Sequence, residues 1–194
     1  MVKVRSILVA LACLVLTTSI GQDTLSNSKT KNQRDWKINA ALSFAPGFLT
    51  ENTRTVQLHG YLGYLQDHIQ IRGDMFYFLG SSGDRPRFDM NHQIYAGAFY
   101  HFFDKQFQPY VGFQPGIAIA RSIEYGVLDT TTNKLDYKVA ANPVGSAIGG
   151  FTYFGEKWFF LFVETRYIFG KHKSNSYPVF LDEFRLSFGL GFTF

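Results

Sequence analysis

Two groups of residues in this chain have types and spacings that could do chemistry. The first is His172-Lys-Ser174-Asn175, followed by Asp182-Glu183. An imidazole can serve as general base, a nearby hydroxyl as nucleophile, and a carboxylate such as Glu183 can orient the ring. The second is a set of charges two residues apart: Arg72 and Asp74, then Glu164 and Arg166, with Arg185 in the final segment. In extended chain, residues two apart share a face. Charges gathered on a buried face must pair, or shift their pKa and neutralise. Such a set is a structural salt-bridge cluster or the polar lining of a narrow ion path.

Other chemistries find no support. The histidines at 59, 68, 92, 101 and 172 have no zinc-like spacing, so no metal is expected. The one cysteine, Cys13, lies in an apolar leader, which leaves no disulfide or thiolate site beyond it. No glycine-rich phosphate loop precedes a helix, and no cofactor is expected. The formal charge is +4, and setting aside Lys3 and Arg5 of the leader leaves 17 basic against 15 acidic residues. That balance gives no reason to expect a nucleic-acid partner.

The elements that must position these residues are strands. Phe184, Leu186, Phe188, Leu190, Phe192 and Phe194 share one parity; Arg185, Ser187, Gly189, Gly191 and Thr193 share the other. Large apolar residues on one face, with small polar ones and a charge opposite, put lipid outside and a crowded polar lumen inside. Similar period-two segments run over 36–44, 55–65, 69–78, 92–102, 109–120, 139–154, 158–169 and 184–194. Short turns at 66–68, 104–106 and 155–157 alternate with longer loops at 80–91, 121–138 and 170–181. Eight strands of roughly ten residues each suffice to cross a bilayer at a tilt near 45° and close into a barrel. The expected fold is therefore all-β: an eight-stranded antiparallel up-and-down transmembrane β-barrel.

By parity Arg72, Asp74, Glu164, Arg166 and Arg185 point into the lumen, and Asp74 and Glu164 stand at similar mid-barrel heights. The expectation is that these two acids neutralise all three arginines. Trp36, Tyr64, Tyr100, Trp158 and Phe194 fall at one level, with Phe102, Phe103, Phe107 and Phe154, as an interfacial girdle. Tyr61 falls on the inward face with His59, and Phe162 with Glu164; the tyrosines and phenylalanines are otherwise read as girdle and lipid face. A hydrophobic content of 46% with mean hydropathy near zero suits such alternation. A secreted soluble barrel of the lipocalin kind is the competing architecture, and it would turn its large residues inward.

Residues 1–21 carry a basic start, an apolar run and the small-x-small site Ser19-Ile20-Gly21, the pattern of a cleaved signal peptide. Residues 22–34 form a polar, flexible periplasmic lead-in, and 35–194 the barrel.

The aromatic ending on Phe194 resembles the C-terminal strand of bacterial outer-membrane barrels. The stretch 36–194 resembles the small barrels around OmpX, OmpW and the OmpA transmembrane domain. That resemblance implies a monomer of the bacterial outer membrane, in contact with its lipid and lipopolysaccharide. It also implies folding by the barrel-assembly machinery through the C-terminal strand, and function vested in exposed loops. His172-Lys-Ser174-Asn175 with Glu183 is similar to the His-x-Ser-Asn stretch and later acid of the PagL lipid A deacylases. Here the acid stands nearer the histidine, and 170–181 is expected to be a loop. The reading adopted is a non-enzymatic barrel with a plugged lumen; the alternatives are a lipid A deacylase and a narrow, porin-like solute or ion pore.

Overall fold

The computed structural model describes residues 37–49, 52–83, 85–103, 105–155, 158–174 and 176–194. The expected signal peptide, the lead-in and Trp36 lie outside these residues. The strands are β1 (Lys37–Leu49), β2 (Arg54–Gln66), β3 (Ile69–Ser82), β4 (Phe88–His101), β5 (Phe107–Ser122), β6 (Val127–Asp129), β7 (Lys134–Asp136), β8 (Ala140–Phe154), β9 (Phe159–His172), β10 (Val179–Phe180) and β11 (Glu183–Thr193).

Eight of these strands form a closed antiparallel ring in the order β1-β2-β3-β4-β5-β8-β9-β11, and β11 returns to β1 from Asn39↔Thr193 to Leu49↔Glu183. Closure matters because an open edge would leave backbone N–H and C=O groups unpaired, which lipid does not tolerate. The ends are sealed in the same way: Phe194 exchanges backbone hydrogen bonds with Ile38 at 2.9 and 3.2 Å. The β6–β7 pair is a separate small hairpin within the long 121–138 connection. In its turn, hydrogen bonds from Thr132 and Thr131 hold the Asp129 carboxyl below the usual range.

At the short-turn end the strand boundaries fall within about two residues of expectation, and Asp67 takes the left-handed φ of +52° that the two-residue Asp67-His68 turn needs. At the other end the strands run further than the alternation suggested. Pro46 and Gly47, turn-type residues beyond the expected first segment 36–44, lie inside β1. Ladder bonding is a backbone property and continues where side-chain patterning stops. Gly47 has its own reason to be glycine. A Cβ there would stand 1.7 Å from Oε1 of Glu183, so the carboxylate fills the place a side chain would take.

The faces are inverted relative to a water-soluble barrel. Leu62 is 67% exposed and Phe113 57%, while Arg166 and Glu164 are 0% exposed. Leu42, Leu190 and Leu161 line up across three neighbouring strands on this outer surface. A continuous apolar exterior of this extent suits hydrocarbon, not water. The lipocalin-like arrangement is thereby set aside.

The interior is less polar than expected. Tyr61, Phe76, Phe78, Phe88, Tyr95, Phe99, Tyr110, Phe160 and Phe162 are all buried, so assigning the aromatics other than Tyr61 and Phe162 to girdle and lipid face alone needs correction. Phe76 and Phe78 share parity with Arg72 and Asp74 of their strand, and Phe160 and Phe162 with Glu164 of theirs. An eight-stranded lumen is narrow enough for side chains to fill, and rings supply the volume.

Candidate functional site

In the ring of eight strands, β3 and β9 stand four places apart in either direction, so they face each other across the axis. β3 presents Arg72 and Asp74 inward; β9 presents Glu164 and Arg166. The four side chains meet. Arg72 contacts Glu164 from wall to wall, and Arg166 Nη2 reaches Asp74 Oδ1 at 3.1 Å. Along each strand Arg72 also holds Asp74 at 3.0 Å and Arg166 holds Glu164 at 2.9 Å. The result is a closed square of two cations and two anions with no net charge. Its side chains are at most 1% exposed.

Further hydrogen bonds satisfy the remaining lone pairs and protons, as buried charge requires. Gln114 donates to Asp74 Oδ2 at 2.6 Å and accepts from Arg166 Nη1 at 2.7 Å. Tyr110 donates to Glu164 at 3.1 Å, and Ser146 Oγ lies 3.1 Å from Arg166 Nη1. His59 Nε2 is 2.8 Å from Asp74, and its Nδ1 is 2.8 Å from Ser43 Oγ. The guanidinium groups lie over rings: Arg72 over Phe99 at 3.9 Å and Tyr61 at 4.3 Å, and Arg166 over Phe76 and Tyr95, each at 4.9 Å. The square is thus capped by aromatic faces that add cation–π attraction. The roles of His59, Tyr110 and the inward rings went unrecognised in the sequence, although parity placed His59, Tyr61 and Phe162 inward.

Arg185 is not part of this square. It pairs with Glu183 at 2.6 Å and with Gln93 Oε1 at 3.1 Å, and its guanidinium lies 4.4 Å from the Phe76 ring. Phe76 therefore lies against both Arg185 and Arg166. The expectation that Asp74 and Glu164 would neutralise Arg185 is corrected: its counter-ion is the acid two residues away on its own strand face.

This also disposes Glu183. Read as the acid of a His–Ser–acid set, it is buried in the lumen, receives a hydrogen bond from Thr55, and gives both oxygens to Arg185. His172 lies not in a loop but at the end of β9, with its side chain turned inward and 0% exposed. Its Nδ1 faces Asn142 Nδ2 at 3.1 Å, and Asn142 Oδ1 accepts from the Lys173 backbone at 3.2 Å. Ser174 follows the strand and is half-buried.

The aromatics expected near the short turns lie on the outer surface, with one exception. Tyr64, Tyr100, Trp158 and Phe194 are each 40–56% exposed, and Trp158 stacks on Phe192 at 5.7 Å. Phe154 departs from the set. It is half-buried and packs 5.4 Å from the inward ring of Phe160.

Solved structures share this architecture. The outer membrane protein OprG of Pseudomonas aeruginosa superposes with a TM-score of 0.59 at 13% identity, over 83% of this chain and 97% of that one. Neisserial surface protein A gives 0.58 at 15% identity, over 82% and 97%. The N-terminal β-barrel domain of Pseudomonas aeruginosa OprF gives 0.53 at 16%, over 83% and 98%. The fold is that of the small outer-membrane barrels. No protein-family model matches the chain, and no curated protein does. At such identities the likeness speaks for the fold and leaves the task of the loops open.

Proposed function

We propose that the chain is a monomeric integral protein of the bacterial outer membrane whose lumen is plugged by its own side chains and whose work is done by its extracellular loops. The observation that carries this reading is the neutral Arg72–Asp74–Arg166–Glu164 square spanning the barrel between opposite walls. Phe76, Tyr95, Phe99 and Tyr110 pack around it and leave the charges no contact with bulk water. An ion path would need hydrated charges; these are paired with each other. The apolar exterior meets membrane lipid and lipopolysaccharide, the leader is removed by signal peptidase, and the strand ending in Phe194 serves the assembly machinery.

Reconstitution of the folded chain in planar bilayers tests the plug. The expected result is no steady conductance. A stable open channel whose ion selectivity changes on Glu164→Ala would show instead that the square lines a pore.

A further inference from the structure

At the long-loop end of the barrel, three connections line a cleft of about 400 Å³. Arg85 and Pro86 come from the β3–β4 connection, Glu124 and Tyr125 from the segment after β5, and Phe180 and Asp182 from around β10. The walls are held together. Ser176 donates from its backbone N to Tyr125 O at 2.9 Å and from its hydroxyl to Gly126 O at 3.0 Å, and the Tyr177 ring meets Tyr125 edge-on at 5.6 Å. Tyr125 has a φ of +53°, in the left-handed region that a bulky residue rarely occupies, yet the residue is 53% exposed. Backbone strain retained to present an exposed ring on a stapled loop suggests that the ring is used.

The charges of the cleft select what it can hold. Glu124 faces Arg85 Nε at 3.7 Å and accepts from the Arg87 backbone at 3.4 Å, while Asp182 accepts from the Gly170 backbone at 3.0 Å. Arg85 stands against both carboxylates of the lining, and Arg87 Nε lies 4.0 Å from Glu124 outside it, so the cleft offers charge of both signs. A polyanion would meet Glu124 and Asp182, and a polycation would meet Arg85 and Arg87. A wholly apolar ligand would strip water from both carboxylates without replacing it. A pyranose ring has the complementary form: a C–H face for Tyr125, Pro86 and Phe180, and hydroxyls that donate to carboxylates and accept from a guanidinium. A cleft of about 400 Å³ lies in the usual range for small-ligand sites and has room for about one or two such rings.

We infer that this cleft binds a neutral glycan of mono- to disaccharide size. The inference rests on the reading that these loops face outward. The sugar comes either from the cell's own lipopolysaccharide or from another surface.

The test uses the full chain folded in detergent, with glucose, galactose, N-acetylglucosamine, maltose and lactose as probes and dextran sulfate as the anionic control. Saturation-transfer NMR and calorimetry should find at least one neutral sugar bound with a Kd below about 1 mM. Tyr125→Gly, which keeps the left-handed backbone comfortable while deleting the ring, should weaken binding at least tenfold, as should Arg85→Ala. Both variants should still migrate as folded barrels on unheated gels. Oligosaccharide released from the cell's own lipopolysaccharide, run beside an array of animal and plant surface glycans, separates the two sources. Binding of dextran sulfate alone, of no probe, or of sugar unchanged by both variants would overturn the inference. Labelling of Arg85→Cys on whole cells by a membrane-impermeant maleimide checks the outward placement separately. Labelled cells with no sugar binding reject the glycan site; unlabelled cells reject the orientation it rests on.

Discussion

Arg166 reaches Asp74 across the barrel, Nη2 to Oδ1 at 3.1 Å, although the two lie 92 residues apart in the chain. The contact exists because an eight-membered ring of strands sets β3 directly opposite β9. Each of these strands carries an acid and a base at the same parity, in opposite order. On β3 the base Arg72 precedes the acid Asp74, and on β9 the acid Glu164 precedes the base Arg166, so the two pairs interlock. Neither wall is charged by itself, and neither pair is complete without the other.

Removing one corner should cost more than removing two. Glu164→Ala leaves Arg72 and Arg166 facing Asp74 alone, a stranded buried cation worth about 3–5 kcal/mol of stability. Adding Arg166→Ala restores neutrality, with Arg72 still on Asp74 at 3.0 Å. Urea or heat titration in detergent should therefore rank the double variant above Glu164→Ala. A double variant less stable than the single one would mean that the square is not an energetic unit.

Gly47→Ala should be destabilising through overpacking, by about 1–3 kcal/mol. Its new methyl would collide with the Glu183 carboxylate and press it off Arg185. Gly80→Ala is the control, since a Cβ there meets nothing within 4 Å. That change should stay within about 0.5 kcal/mol of wild type. Equal losses at the two positions would remove the special role given to Gly47.

Leu190→Arg sets a charge among Leu42 and Leu161 on the outer face, where Leu190 is 47% exposed. With this row in hydrocarbon, the loss is about 2–4 kcal/mol at the bilayer midplane. Unfolding from phospholipid vesicles measures it. An arginine variant as stable as wild type, in a chain soluble without detergent, would place the leucines in water.

The barrel and its inward charges were legible because period two is a strong local signal. Arg72, Asp74, Glu164, Arg166 and Arg185 all face the lumen as parity required. Their grouping was harder to read, since it depends on the relative height of strands around a tilted ring. Glu183 illustrates the difficulty. Its nearness to His172 in sequence suggested catalysis, but its parity with Arg185 was the stronger fact. Pro46 and Gly47 misled in another way, by looking like loop residues where one faces outward and the other makes room for a carboxylate. The cleft beside Tyr125 could not be read at all. Three separate connections build it, and nothing in their spacing brings them together.

The last prediction concerns His172 and Ser174. Deacylation would need a nucleophile and base exposed to lipid A, with an acid free to orient the imidazole. His172 is instead buried inside the long-loop end of the barrel beside Asn142, and Glu183 is occupied by Arg185 and Thr55. Expression of the wild type should leave the lipid A mass spectrum unchanged, and so should His172→Ala and Ser174→Ala. His172→Ala should lower thermal stability slightly, because it leaves Asn142 without the ring nitrogen at 3.1 Å. Loss of an acyl chain on wild-type expression, abolished by either substitution, would make the protein an enzyme and place its chemistry at the rim, not in the loops beyond it.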